Sequence, residues 1–380
     1  MRHHQYNPGF QFVKEPIEFD KYTEKNVLQY CLGATLYMPG TKEILNKILN
    51  KELKDITSIV MDFEDAIKES DLQRAEENVL FHLDKMADAI NNNLISIGDI
   101  PLIFLRVRNT NQFKSFTAQL TKNRVSVLTG FVFPKFDAAN AFEYLQLLEN
   151  ICTEHNEILF GMPILEGKTI AYKETRYHEL MILKKIIEPF KKRILNIRVG
   201  GTDFSALFGV RRGINYSIYD IMTVRDSLSD ILNFFNRAED DYSVSAPVWE
   251  YFLAHNKDDI YKLLQGDIHK SLLNKTPIIN EAIDGLLREV ILDKANGFIG
   301  KTIIHPSHAR FVNAMQTTTK EEYDDARQII ENSGGVIKSA NSNKMNEINP
   351  HRNWAKRIVL RATAFGVVEN DISMLKLILG

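Results

Sequence analysis

Glu166 ends a run, ILFGMPILE (158–166), that is otherwise almost wholly apolar. A carboxylate in such a setting costs several kcal/mol if it is buried alone, or else its pKa changes. It therefore needs a cation, a hydrogen-bond donor or water. A second run, ILNIRVGGTD (194–203), ends on Asp203 after Gly200-Gly201. If the two runs are neighbouring strands, their ends lie about 4.8 Å apart. Two carboxylates so placed can share one small hard cation. Mg²⁺ is usually held by one or two carboxylates together with water and substrate oxygens. No His/Cys cluster with zinc spacing occurs, so Zn²⁺ fits less well. The glycine pair, with Thr202 beside it, lets a ligand approach the backbone closely. Either acid taken alone is equally well explained as a helix cap or as a partner of Lys135 or Arg106. The pair is harder to explain that way.

Other runs also end on chemistry-bearing residues. SIVMDFED (58–65) ends on Asp62, Glu64 and Asp65. Strand alternation predicts that Asp62 and Glu64 point one way and Asp65 the other. LIFLRVRN (102–109) carries Arg106 and Arg108, which period 2 places on the same side. Each can hold a carboxylate or phosphate bidentately. ATLYMPG (34–40) ends on Pro39-Gly40, GFVFPKF (130–136) carries Lys135, and SVSAPV (243–248) carries Ser245. FIGKTIIHP (298–306) ends near His305, which reads as structural more readily than catalytic. In FGVRRG (208–213), Arg211 and Arg212 are either an anion-binding pair or a solvated loop pair.

The eight runs must be positioned by something. They are continuous rather than alternating, as expected of strands buried on both faces. Amphipathic segments lie between them. TKEILNKILNKEL begins at a candidate N-cap, Thr41, and Asp137 is a candidate cap for DAANAFEYLQLLENI. HELMILKKIIEPF, YDIMTVRDSLSDILNFF and NEAIDGLLREVILDKA continue the series. Strands alternating with helices predict an α/β protein with a parallel sheet. Eight such units over about 280 residues predict a (β/α)8 TIM barrel, in which all strand C-termini share one face. An open doubly wound sheet competes, but no G-x-G-x-x-G follows the first strand. The barrel spans residues 31–316. Residues 1–30 are an N-terminal extension, and 317–380 form a helical C-terminal segment with a polar break at SGGVIKSANSNKMNEINP.

The composition, 44% hydrophobic and 25% charged, is that of a globular chain. A formal net charge of −2 gives no support to broad nucleic-acid binding. Cys31 and Cys152 make no disulfide framework, which fits a reducing compartment. The start, MRHHQYNPGF, lacks a signal-peptide core, and no window approaches ~18 apolar residues. The expectation is a soluble, cytoplasmic protein with no membrane contact.

In their order, LYMPG, VMDFEDAI, FLRVRN, FVFPK, PILEG, VGGTDFSALFG and the stretch from Asp284 through GFIGKTIIHPSH resemble the HpcH/HpaI aldolase and citrate lyase β-subunit superfamily. The likeness is greatest to its branch of TIM-barrel C–C bond lyases found in tellurium-resistance-type stress gene clusters. The resemblance implies Mg²⁺-dependent cleavage or formation of a C–C bond beside a carbonyl. By it, Glu166 and Asp203 hold the ion, Arg106 stabilises enolate-like charge or holds the substrate carboxylate, and Glu64 orients Arg106 or a metal-bound water. Pro39, Gly40 and the backbone after Asp203 shape the pocket. Arg108, Lys135, Thr202, Arg211, Arg212 and Ser245 complete the substrate-binding candidates.

Relatives also use a C-terminal Asp that reaches a neighbouring subunit. The corresponding stretch here, KMNEINPHRNWA, offers Glu347. Gly167 stands where the family has Thr, and Arg108 where it has Asn. The implied substrate is a small anionic oxo- or hydroxy-acid, phosphorylated or carried as a CoA thioester, and the implied assembly a homo-oligomer, trimer or hexamer. Two other readings stand beside this one. The first is a catalytically silent barrel that senses a metabolite or serves as an assembly partner in a stress response. The second is phosphoryl transfer on a barrel, though no P-loop or kinase signature is present.

Overall fold

The computed structural model describes residues 1–252, 281–339 and 345–379. Seven of the apolar runs form β1 (Ala34–Pro39), β2 (Ser58–Asp62), β3 (Leu102–Arg106), β4 (Gly130–Phe133), β5 (Phe160–Leu165), β6 (Arg198–Val199) and β7 (Lys301–Ile303). They pair in parallel in the order β6-β5-β4-β3-β2-β1-β7. Residues 243–246, from the remaining run, close the sheet. Ile197 pairs in parallel with Val244, and Ala246 with Lys301. The Ser245 N–H donates to Ile197 O and the Ile299 N–H to Val244 O, each at 2.9 Å. The (β/α)8 barrel expected from the spacing is therefore present.

Alternation along each strand divides the apolar residues between two cores. Ile59, Met61, Ile103, Leu105, Phe131 and Phe133 face outward and pack under the helices. Val60, Leu102, Phe104, Val132, Met162 and Ile164 face the barrel axis. The axial core continues into the N-terminal extension through Met1, Phe19, Leu28 and Tyr30, and into the C-terminal segment through Phe365. The extension thus plugs one end of the barrel and leaves the other end for polar residues.

Extension and C-terminal segment also join by backbone. The Val13 N–H donates to Val367 O (2.8 Å) and the Ile17 N–H to Thr363 O (3.0 Å). The His3 ring stacks on Phe365 at 4.4 Å. Helices Lys320–Glu331 and Ile348–Phe365 bury Ala326, Ile329, Ile348, Ala355 and Ile358 against one another. The polar break contains a short antiparallel pair, Val336–Lys338 with Met345–Glu347, and its residues 340–344 lie outside the described residues. No helix among the described residues is long and apolar enough to cross a membrane.

Two helix starts differ from expectation. The segment after β1 forms only the short helix Leu45–Leu49, with Ile44 and not Thr41 at its N-cap. Residues 39–45 turn instead: the Lys42 N–H donates to Pro39 O (2.9 Å), and Glu43 Oε1 accepts from the Leu45 N–H (2.9 Å). Asp137 accepts from the N–H groups of Ala139 (3.0 Å) and Asn140 (3.2 Å), so it caps the turn before helix Ala141–His155, whose N-cap is Asn140.

Candidate active site

The parity that points Val60, Phe104 and Ile164 at the barrel axis also points Asp62, Arg106 and Glu166 there, one layer nearer the open end. Asp62 and Arg106 are register partners on β2 and β3. They form a two-pronged ion pair, Arg106 Nε to Asp62 Oδ1 and Nη2 to Oδ2, both 2.6 Å. Arg106 Nη1 lies 3.0 Å from Glu64 Oε2 and 3.5 Å from Asp65 Oδ2. The alternation predicted for the three acids fails because β2 ends at Asp62 and the chain bends at once. Asp62 Oδ1 accepts from the Glu64 N–H (2.9 Å) and Oδ2 from the Ala66 N–H (3.1 Å), so the bend brings all three carboxylates to Arg106.

Lys135 Nζ pairs with Glu64 and lies 3.6 Å from Asp65 Oδ1. Burial, then the hydrogen bond with Asp65, raise the Glu64 carboxyl above the usual carboxylate range despite these cations. Lys135 adopts φ 47°, in the left-handed region that costs a non-glycine residue roughly 1–2 kcal/mol. This conformation accompanies an inward N–H that donates to Glu166 Oε1 at 2.8 Å. Such strain is found where the surroundings over-determine the backbone.

Glu166 and Asp203 meet over Gly200. A Cβ built on Gly200 would lie 2.5 Å from Glu166 Oε2, 2.4 Å from Glu166 Cβ and 3.1 Å from Asp203 Oδ2. Glu166 is 5% exposed. Burial, then the negative charge of Asp203, push its carboxyl up to about 8. Asp203 is raised too, first by burial and then by Asp65. Two adjacent carboxyls that resist joint ionisation are a site short of positive charge. Gly200→Ala should force Glu166 aside and lower activity roughly 100-fold, the scale of a 1 Å misplacement. The check is kcat/KM beside a circular dichroism spectrum; a spectrum like wild type with full activity would remove Gly200 from the site.

The pair opens into a cavity of about 430 Å³ lined by Tyr37, Pro39, Asp62, Arg106, Glu166, Arg198, Thr202, Asp203 and Thr302, among others. Of the predicted residues, Pro39, Arg106, Glu166, Thr202 and Asp203 line it. Gly40 stands behind the wall, where its N–H donates to Asp62 O (2.8 Å) and any side chain would press on the Phe63 ring at 3.0 Å. Lys135 and Glu64 reach the site through their contacts with Glu166 and Arg106.

Other predicted residues lie elsewhere. Arg108 follows the end of β3 and turns away, donating to the carbonyls of Phe63 and Ile67 (both 3.1 Å) and pairing with Glu69 (2.9 Å); it clamps the loop after β2. Arg212 is buried and pairs with Glu250 and Glu289, with its guanidinium 4.6 Å from the Trp249 ring centre. It is part of an internal ion network, not an anion site. Arg211, its neighbour, is exposed and does not line the cavity. Ser245 spends its hydroxyl on Asn196 Oδ1 (2.7 Å) and Ile299 O (3.0 Å) at the seam that closes the barrel. Glu347 is exposed at the N-cap of helix Ile348–Phe365 and does not line its own chain's cavity.

Tyr37 and Arg198 are absent from the candidates read from sequence, and Asp62 figures there only as one of three strand-end acids. The signal for Tyr37 and Arg198 is the inward parity each has on its strand, short of the strand's last residue. Tyr37 lies between two guanidiniums, with Arg106 5.6 Å and Arg198 5.4 Å from its ring centre.

The sequence matches the model of the family described as C–C bond lyase of the TIM-barrel fold over residues 26–367, and the chain belongs to that family. Among solved structures it is similar to the protein CitE of Mycobacterium tuberculosis in complex with magnesium, acetoacetate and coenzyme A. That match has 16% identity, covers 87% of this chain and 97% of that one, and has a TM-score of 0.51. It is also similar to the magnesium/glyoxylate complex of Haloferax volcanii malate synthase, at 14% identity, 74% of each chain and a TM-score of 0.50. At such identities the likeness is one of fold. No curated protein sequence matches the chain.

Proposed function

We propose that the chain is a Mg²⁺-dependent carbon–carbon lyase or aldolase acting on a small anionic oxo- or hydroxy-acid. The observation that carries this reading is the meeting of Glu166 and Asp203 over Gly200, facing Arg106 across one cavity. The donor set fits a small hard cation. Among the described residues no group of three His, Cys, Asp or Glu side chains is arranged to hold a metal. Two carboxylates therefore suit an ion that takes its other ligands from water and substrate oxygens. When bound, Mg²⁺ supplies Lewis-acid polarisation of a substrate carbonyl.

The chain's own residues do the rest. The Lys135 N–H holds one oxygen of Glu166 and leaves the other toward Asp203. Arg106, locked by Asp62 and Glu64, presents fixed positive charge to the enolate oxygen that develops as the C–C bond breaks. Because Asp62 spends both oxygens on Arg106, that charge needs no reorganisation during the reaction. Glu64 is a positioning residue for Arg106 and Lys135. The ligands named with the CitE and malate synthase structures, acetoacetate, coenzyme A and glyoxylate, suggest the compounds to try.

The test is calorimetric titration of the purified chain with Mg²⁺, and then with oxaloacetate, pyruvate, glyoxylate and acetyl-CoA. The expected result is Mg²⁺ binding, with oxo-acid binding that disappears in EDTA. Oxo-acid binding indifferent to EDTA, or no metal binding at all, would refute the reading and turn attention to a silent barrel.

A further inference from the structure

We infer that Arg198 anchors a second, distal carboxylate of the substrate, so that the site selects a 2-oxo dicarboxylate over a monocarboxylate. This rests on the reading of Glu166 and Asp203 as the cation pair.

Arg198 is 1% exposed and forms part of the cavity wall. Three other guanidiniums of this chain meet carboxylates: Arg106 meets Asp62 and Glu64, Arg176 meets Asp226 and Asp230, and Arg212 meets Glu250 and Glu289. Among the described residues Arg361 is buried without an ion pair as well, but it does not line this cavity. The Arg198 partners are uncharged. Nη2 donates to Thr302 Oγ1 at 2.7 Å, Nη1 to Thr35 Oγ1 at 3.4 Å, and the Tyr37 ring covers one face. Its Nε is buried with no hydrogen-bond partner. A buried cation without a counter-ion costs several kcal/mol, and a planar guanidinium is the side chain best matched to a carboxylate. On a cavity wall, the missing negative charge can come from the ligand.

Position sets the length of that ligand. Arg198 opens β6 and precedes Gly200, the cradle of the acid pair just past the strand's end, by two residues. That is one inward layer, roughly 6–7 Å deeper. With C–C bonds of ~1.5 Å, an extended acid of about four or five carbons separates its terminal carbons by roughly 4–5 Å, which leaves a hydrogen-bond length to spare. A 2-oxo acid held through a cation at Glu166 and Asp203 would therefore place its far carboxylate at Arg198. A three-carbon acid does not reach. The layer also contributes hydroxyls from Thr302 and Thr35.

The test compares oxaloacetate and 2-oxoglutarate with pyruvate by calorimetry in Mg²⁺, on the wild type, Arg198→Gln and Arg198→Lys. The wild type should bind a dicarboxylate at least ~10-fold more tightly than pyruvate. Arg198→Gln should lose that preference while its affinities for pyruvate and Mg²⁺ stay within about twofold; Arg198→Lys, which keeps the charge and loses the fork, should fall between. Equal binding of mono- and dicarboxylates by the wild type would overturn the inference and leave the proposed function standing. So would an Arg198→Gln variant that keeps the preference but melts earlier, since Arg198 would then be only a tie between strands. If Arg198→Gln does not fold, the wild-type panel and Arg198→Lys decide. No Mg²⁺-dependent binding of any oxo-acid by the wild type would remove the proposed function and this inference together.

Discussion

Glu166→Gln and Asp203→Asn should each abolish measurable Mg²⁺ binding and lower turnover at least ~10³-fold, about 4 kcal/mol of transition-state stabilisation, with the barrel intact by circular dichroism. Each removes one of only two carboxylates that face one another over Gly200. In the metal-free protein the same change should help folding. Burial and Asp203 place the Glu166 carboxyl at about 8, well above its ordinary 4.5. A carboxyl with a raised folded pKa keeps its proton in the folded chain and loses it in the unfolded chain between those values. The folded state then binds more protons, and stability falls as pH rises through the window from 4.5 to about 8. Glu166→Gln has nothing to ionise there. Its denaturant midpoint in EDTA should exceed the wild-type value by a margin that grows up to about pH 8. Mg²⁺ affinity of the wild type should rise over the same window, with proton release that calorimetry in two buffers detects. A wild type whose metal affinity is flat from pH 5 to 8 would show that the two acids do not hold the ion.

Glu289→Ala should be among the most destabilising single changes in the chain, at about 3–5 kcal/mol, with no bearing on the chemistry. Glu289 is fully buried on helix Glu281–Ala295. It pairs with Arg212, lies 2.9 Å from Lys301 Nζ on β7, and accepts from the Ile218 N–H at 2.9 Å. Lys301 also meets Asp293 at 2.8 Å, and Asp293 accepts from the Tyr219 hydroxyl at 2.5 Å. Removing Glu289 leaves Arg212 with Glu250 alone and Lys301 with Asp293 alone, both out of water. Arg212→Met should be costly as well, yet leave oxo-acid affinity per folded molecule unchanged. Urea titration measures the first effect, and calorimetry on the folded fraction the second. A loss of oxo-acid affinity in Arg212→Met that exceeds its loss of stability would return Arg212 to the list of ligand-binding residues.

How much of this was legible from residue order differs from element to element. Continuous apolar runs separated by amphipathic segments were enough for the barrel, because strands covered on both faces must be apolar throughout. In a barrel all strand ends share a face, so placing Glu166 and Asp203 together needed only their positions at the ends of adjacent runs. The short helix after β1 was less legible, since a local side-chain bond from Glu43 to the Leu45 N–H replaced the expected cap at Thr41.

The tertiary structure alone decided which cations face the cavity. Arg106 and Arg108 look equivalent at period 2, but β3 ends at Arg106, and the bend beyond it sends Arg108 to backbone carbonyls. Arg211 and Arg212 look like one pair, yet the charge of Arg212 is consumed by Glu289, 77 positions away in sequence. Arg198 lies inside its run and not at its end. Only closure of the barrel through residues 243–246 brings it to Thr35, Thr302 and Tyr37 and leaves it without a carboxylate. The types of side chain and the face they occupy follow from local periodicity, which is written into the order of residues. Which charges are already neutralised depends on contacts between distant segments, and these exist only once the chain has folded.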